Sequence, residues 1–351
     1  MKALVYDGPG NIEYREHPMP TLHDDTDIVM RIAQSTICGT DAHIIKCGVP
    51  TVQPGTVLGH EATGIVTEVG GSVKNVKPGD RILAVCVSAC GYCRFCTSGL
   101  YGQCLNGGWA LGNTLDGVQA EYARIPFARN SVYKIPDNLT DEQVLFLTDI
   151  LATGYEVGVL NGRVQPGDTV VIVGAGPVGL SATLTVQLFS PRNIVVVDRV
   201  AGRRETALKL GATHAVDEHE VHAVVDQLTD RLGADVTIEA VGFLDASELT
   251  ADLVRSGGRI ANIGVHEGTS DPAPGEAVGQ AGHHHHRHPV RVDHLAADEL
   301  HRHGRAGRHP DDHPPDAPRR DRGRVRHLPA LRGNRGPEGR PDERVSSGRT
   351  P

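Results

Sequence analysis

A short apolar run, Thr169-Val-Val-Ile-Val173, passes directly into Gly174-Ala-Gly176-Pro177-Val178-Gly179, and a helical stretch follows from Pro177 to Phe189. A strand without polar interruptions predicts a parallel sheet covered on both faces, because no side of it tolerates water. Asn193-Ile-Val-Val-Val-Asp198 reads as the next strand, and a helix from about Gly202 to Leu210 ends before Gly211, a residue suited to a helix C-terminus. His214-Ala-Val-Asp217, Asp235-Val-Thr-Ile-Glu239 and Arg259-Ile-Ala-Asn-Ile263 supply further strands with helical patterns between them. Alternation of this kind predicts an α/β, doubly wound sheet.

A glycine run alone is only a turn. Placed between a buried strand and a helix it reads as a dinucleotide site. Gly174 permits the tight turn, Gly176 lets backbone approach a pyrophosphate, and Gly179 allows helix and strand to pack closely. Pro177 and Val178 open the helix, whose free N–H groups and dipole favour anions. Asp198 ends the second strand 19 residues after Gly179. A carboxylate there accepts hydrogen bonds from ribose hydroxyls and repels a 2′-phosphate, which favours NAD over NADP. Neighbouring Arg199, Arg203 and Arg204 pull the other way; Arg203 is the best candidate for a ribose contact.

The part up to about Phe127 has a different rhythm, with short β-branched runs such as Ile28-Val-Met-Arg-Ile and Gly64-Ile-Val-Thr-Glu-Val broken by glycine and proline. Within it Cys90, Cys93, Cys96 and Cys104 are spaced C-x2-C-x2-C-x7-C. Four thiolates in one loop suit tetrahedral zinc with no open position, a structural site. Cys47 and Cys86 read as buried small hydrophobes. A sparser set follows the order Cys38-Gly-Thr40-Asp-Ala-His43, Gly59-His60-Glu61, Thr148-Asp149. One thiolate, one imidazole and one carboxylate from three segments would leave zinc a fourth position for substrate.

The chain has 351 residues, enough for two domains. Residues 1–271 carry 20 Lys+Arg against 32 Asp+Glu, an acidic balance that argues against a nucleic-acid partner. The opening residues contain no apolar h-region, and no apolar run approaches the ~20 residues of a membrane span. Seven cysteines, four of them bunched, read as metal ligands in a reducing compartment, so the expected location is cytoplasmic.

With these motifs together, the chain resembles the zinc-dependent medium-chain dehydrogenase/reductase family, and in particular its bacterial alcohol dehydrogenases. The resemblance implies a β-rich GroES-like catalytic domain over residues 1–150 and a Rossmann NAD-binding domain over 151–271. It implies that Cys38, His60 and Asp149 bind catalytic zinc, with Glu61 close behind. Thr40 would take the alcohol proton and pass it towards His43, Thr153 would lie against the nicotinamide, and Trp109 is a candidate pocket wall or core residue. The implied reaction interconverts alcohols and aldehydes or ketones by hydride transfer; polyol, threonine and formaldehyde dehydrogenases share the apparatus. A homodimer or homotetramer is the family's habit.

Residues 272–351 depart from this pattern. They hold 15 Arg, 11 His, 11 Pro and 10 Gly, with no Lys and no aromatic residue. Such a composition cannot bury enough apolar surface to fold, which predicts an irregular tail. Codons for Pro272–Gly279 exist that, read one nucleotide later, give Leu-His-Leu-Glu-Lys-Leu-Trp, a stretch like that of family members. The expectation is a frameshift between about Val265 and Pro272, leaving either an enzyme with an aberrant tail or a non-catalytic zinc-binding remnant.

Overall fold

In the computed structural model, residues 1–265 and the short strand Arg291–Val292 are described. All belong to one unit, Met1–Arg305. The rest of the expected irregular tail, and with it the frameshift reading, lies outside the described residues.

The first half is β-rich. Strands β1 (Lys2–Tyr6), β2 (Ile12–Glu16) and β4 (Thr56–Val57) form a three-stranded sheet. Strands β3 (Ile28–Ser35), β5 (Ala62–Val69), β6 (Arg81–Ala84), β7 (Tyr122–Ile125) and β8 (Val132–Lys134) form a five-stranded antiparallel sheet in the order β7-β3-β5-β6-β8. Ile28, Met30, Val66, Ile82 and Ile125 close its core. The segments between these strands carry the chemistry: the helix Gly39–Cys47 follows β3, His60 and Glu61 immediately precede β5, and the cysteine loop follows β6.

The second half is a parallel sheet. Strands β9 (Thr169–Val173), β10 (Asn193–Val197), β11 (His214–Val216), β12 (Ala234–Glu239), β13 (Val254–Asn262) and β14 (Arg291–Val292) lie in the order β11-β10-β9-β12-β13-β14, the strand order of doubly wound dinucleotide-binding sheets. Successive residues of β9 and β10 point to opposite faces. Val170, Ile172, Ile194 and Val196 enter one core while Val171, Val173, Val195 and Val197 enter the other. That double burial is why these strands are uninterrupted runs of β-branched residues.

Three details differ from the sequence expectation. Strand β13 begins at Val254, earlier than Arg259, with its register shifted between Ala234 and Val236 of β12; Gly257, at φ +71°, sits in this irregularity. The predicted helix Pro177–Phe189 tightens to a 3-10 turn over its last three residues. Two residues of the tail, expected to be irregular, pair with Arg259 and Ile260 as β14, because the edge of β13 offers backbone groups to any extended segment.

Candidate active site

The dinucleotide loop has the geometry its glycines imply. Gly174 sits at φ +104°, and a Cβ on Gly179 would stand 1.9 Å from the Gly174 carbonyl oxygen, so helix Pro177–Val186 can lie this close to β9 only with glycine there. A Cβ on Gly176 would meet nothing within 4 Å, which leaves its backbone open to a ligand. Gly176 is the N-cap and Pro177 follows at the first helical position, where its missing N–H costs nothing. Asp198 follows β10, and its carboxylate accepts the Ala175 N–H at 2.8 Å and the Val200 N–H at 2.8 Å. These bonds fix the carboxylate at the rim of a cavity of about 390 Å³ that also includes Gly174 and Arg203 in its walls. Arg203 Nη1 lies 3.7 Å from Asp198 Oδ2.

The four sulfur atoms of Cys90, Cys93, Cys96 and Cys104 lie within 4.8 Å of one another, and none forms a disulfide. The Cys90 N–H donates to Cys104 Sγ and the Asn106 amide to Cys90 Sγ, both at 3.3 Å. Backbone N–H groups of Cys96 and Leu105 bring the Cys93 thiol down to about 6, while burial pushes Cys96 up to about 12 and raises Cys104. Donors aimed at sulfur favour thiolates, the form that binds zinc.

Donor atoms of Cys38, His60, Glu61 and Asp149 form the second such cluster, again within 4.8 Å of one another. His60 Nε2 lies 3.1 Å from Asp149 Oδ2, and Cys38 Sγ 4.0 Å from the same oxygen. Tetrahedral zinc bonds of about 2.0–2.3 Å place ligand atoms roughly 3.3–3.8 Å apart, so the set fits zinc with small adjustments. Three of the four come from the turns around β3 and β5; Asp149 arrives from the start of the helical segment Ile150–Thr153.

The charge balance of this second cluster calls for a cation. Glu61 is 1% exposed, and neither of its carboxylate oxygens has a hydrogen-bond partner of ordinary geometry. Burial, then the charges of Asp149 and Asp41, push it up to about 7. Burial also raises Asp41. Burial opposes charge on His60, but its bonds to Asp149 and Cys38 outweigh that and hold the imidazole well above its ordinary value. The same contact outweighs burial at Asp149 and lowers its carboxyl. A divalent ion held by these donors would supply positive charge in place of those protons.

Around these donors the structure adds residues that spacing alone did not single out. Asp41 is 1% exposed; its Oδ2 accepts the Cys38 N–H at 2.9 Å and the Gln119 amide at 3.1 Å, while Oδ1 faces His60 Nδ1 at 3.7 Å. A carboxylate on that side favours the His60 tautomer that leaves Nε2 free to bind metal. Cys86, expected to be a bland core residue, is instead placed beside Asp149, Glu61 and Cys38, and burial pushes its thiol well up. Cys47, expected to be buried, is exposed, because it closes helix Gly39–Cys47 beyond the face that Asp41 and Ile44 bury. Thr40 Oγ1 lies 3.7 Å from Cys38 Sγ, and His43 stands one turn further along the same helix, half-buried. The Thr153 hydroxyl donates to Asp149 Oδ1. The Trp109 and His60 rings meet edge-to-face with centroids 6.2 Å apart, and Trp109 also packs against the core cluster of Tyr6, Ile44 and Leu58.

Comparison with known proteins agrees with this geometry. Residues 24–137 match the family described as Alcohol dehydrogenase GroES-like domain, and residues 177–284 match Zinc-binding dehydrogenase, a match continuing past Asp271. The zinc-dependent alcohol dehydrogenase 2 of Streptococcus pneumonia is 46% identical, with a TM-score of 0.72 over 76% of this chain and 76% of that one. The chain belongs to the zinc-dependent medium-chain dehydrogenase family. The zinc-type alcohol dehydrogenase B of Aspergillus flavus is 35% identical over 277 residues; the match takes in 76% of this chain and 64% of that relative's length. A zinc-binding dehydrogenase of Sinorhizobium meliloti, solved with NADP, is 31% identical with a TM-score of 0.66, over 76% of this chain and 77% of that one. As a family member the chain is an oxidoreductase that uses zinc and a nicotinamide cofactor.

Proposed function

We propose that this chain oxidises primary or secondary alcohols to aldehydes or ketones, and runs the reverse reaction, with NAD as its nicotinamide partner. The observation that carries this reading is the convergence of Cys38, His60, Glu61 and Asp149 on one point, in a chain that also carries a dinucleotide loop of intact geometry.

Cys38, His60 and Asp149 would hold the catalytic zinc, and Cys90, Cys93, Cys96 and Cys104 the structural one. When bound, the catalytic ion supplies Lewis acidity to the substrate oxygen and the nicotinamide supplies the hydride acceptor. Thr40 Oγ1 both accepts and donates, so it can take a proton from the substrate hydroxyl and hand one on. His43, one turn further along the same helix, would pass that proton on to water. Asp41 holds His60 in register, and Asp149 is steadied by Thr153. Trp109, whose ring stands against His60, would limit the width of the alcohol that fits.

Support for NAD comes from the carboxylate of Asp198 at the end of β10, where a 2′-phosphate would meet its charge. The test is NADH formation by the purified full chain, supplied with zinc, across short primary and secondary alcohols. Turnover abolished by a chelator and restored by zinc is the expected result. Soluble protein that retains zinc at both clusters yet neither binds nor reduces NAD would overturn the reading.

A further inference from the structure

Three arginines stand beside Asp198, and each could in principle serve a 2′-phosphate. The structure accounts for them differently. Arg204 Nη1 donates to the carbonyl oxygens of Asp198 and Arg199, at 2.8 Å and 3.1 Å. Arg203 leans towards Asp198 itself at 3.7 Å. Arg199 is divided between two carboxylates: its Nε donates to Glu218 Oε2 at 2.8 Å and its Nη2 to Asp245 Oδ2 at 2.9 Å. Glu218 follows β11 and Asp245 lies in the first turn of helix Leu244–Leu253, so the bridge ties two separate segments to the residue after Asp198. Arg199, Glu218 and Asp245 all line the 390 Å³ cavity at whose rim Asp198 stands.

We propose that Glu218 and Asp245 are specificity-determining residues for the nicotinamide cofactor: by dividing the Arg199 guanidinium between them, they withhold the cation that a 2′-phosphate needs. The inference rests on the NAD reading above and extends it beyond Asp198.

The physical argument has two parts. A guanidinium binds phosphate strongly when its planar fork is presented whole. Here the Nε donor and one terminal nitrogen already point at carboxylates, in different directions. Each pair alone is weak, because Arg199 is 69% exposed. Their value lies in orientation and in local charge. Asp198, Glu218 and Asp245 against Arg199 and Arg203 leave the cavity wall with one excess negative charge. Neutralising the two bridge acids reverses that sign and frees the fork beside the ribose carboxylate. Glu218 stands in a turn with Asp217, His219 and Glu220, and the exposed His219 has its Nε2 3.9 Å from Glu218 Oε1.

The test is calorimetric titration of the full, zinc-loaded chain with ADP-ribose and with its 2′-phosphorylated form, reading the ratio of the two affinities. The double variant Glu218→Gln/Asp245→Asn should shift that ratio by about tenfold or more towards the phosphorylated ligand, the worth of one charge-assisted contact. Adding Arg199→Ala to it should cancel the shift. Arg199→Ala alone should move the ratio less than about threefold, since the native bridge already withholds the side chain. An unmoved ratio in the double variant, or a shift that survives Arg199→Ala, overturns the inference. Should the double variant fail to fold, Asp245→Asn alone should give about a threefold shift, and none would count against the bridge. Wild-type protein that prefers the phosphorylated ligand sinks the NAD reading itself, an outcome distinct from an unmoved ratio in a chain that prefers ADP-ribose.

Discussion

The two clusters of metal-binding side chains are assembled in opposite ways. Cys90, Cys93, Cys96 and Cys104 fall within 15 consecutive residues, and the loop that carries them folds back on itself. Cys38, His60 and Asp149 lie up to 111 positions apart and meet only because strands β3 and β5 and the segment after Thr148 come together. The first cluster is chemically uniform and offers zinc four thiolates. The second mixes sulfur, nitrogen and oxygen and has Glu61 behind it. A local site of that kind holds a segment in shape, while a dispersed one can present an unfilled coordination position at the meeting of several segments.

If that contrast is right, the largest effect belongs to the dispersed site. Cys38→Ser should lower turnover by about a thousandfold or more, since about 4 kcal/mol is what a Lewis acid and its positioning contribute to such a barrier. Metal analysis should show one zinc lost per chain, and the melting temperature should stay within about 3 °C of the parent, because β3 and β5 are held by their own core. A variant that melts far lower would show that the dispersed cluster also holds the fold together, and the contrast would fail.

The same contrast explains what could be read from the sequence. The cysteine loop and the run from Thr169 to Asp198 are legible because the residues that act together are also neighbours in sequence, at spacings set by a turn or a strand. Asp41 was not legible as a partner of His60. In Cys38-Gly-Thr-Asp-Ala-His it has the look of an ordinary acid in the first turn of a helix, favoured there by the dipole. Its contact with His60 exists only once β5 is paired beside β3. Gln119, which donates to Asp41 from 78 residues away, has no local signature at all. Cys86 and Cys47 look alike in the sequence, as small buried residues, and the structure separates them: one lies beside Asp149 and Glu61 and the other reaches the surface. The bridge from Arg199 to Glu218 and Asp245 is hidden for the same reason, since each acid belongs to a different segment.

The cysteine loop should fail in the complementary way. Cys96→Ala is expected to remove the other zinc and lower the melting temperature by about 5–10 °C, a loss of a few kcal/mol in a chain of this size. Turnover per folded molecule should fall much less than in Cys38→Ser. Thermal scans paired with metal analysis and active-site titration separate the two effects. A variant that melts like the parent would mean that the lobe's backbone hydrogen bonds hold it without metal.

The smallest of these effects probes the dispersed site through a residue that does not bind the metal. Asp41 touches His60 only on its Nδ1 side and bonds the Cys38 N–H, so its charge orients two ligands at once. Asp41→Asn keeps the side-chain shape and an oxygen acceptor while removing the charge that favours the metal-binding tautomer of His60. Zinc affinity at the dispersed site should fall by about 10- to 100-fold, the usual consequence of losing a carboxylate partner to a metal-bound imidazole. Competition with a chromogenic chelator resolves the two zincs of one chain, and the four-cysteine zinc should be unmoved. Equal weakening of both would mean that Asp41 acts through folding of the whole β-rich half. Weakening of neither would leave the His60 tautomer governed by something other than the 3.7 Å contact.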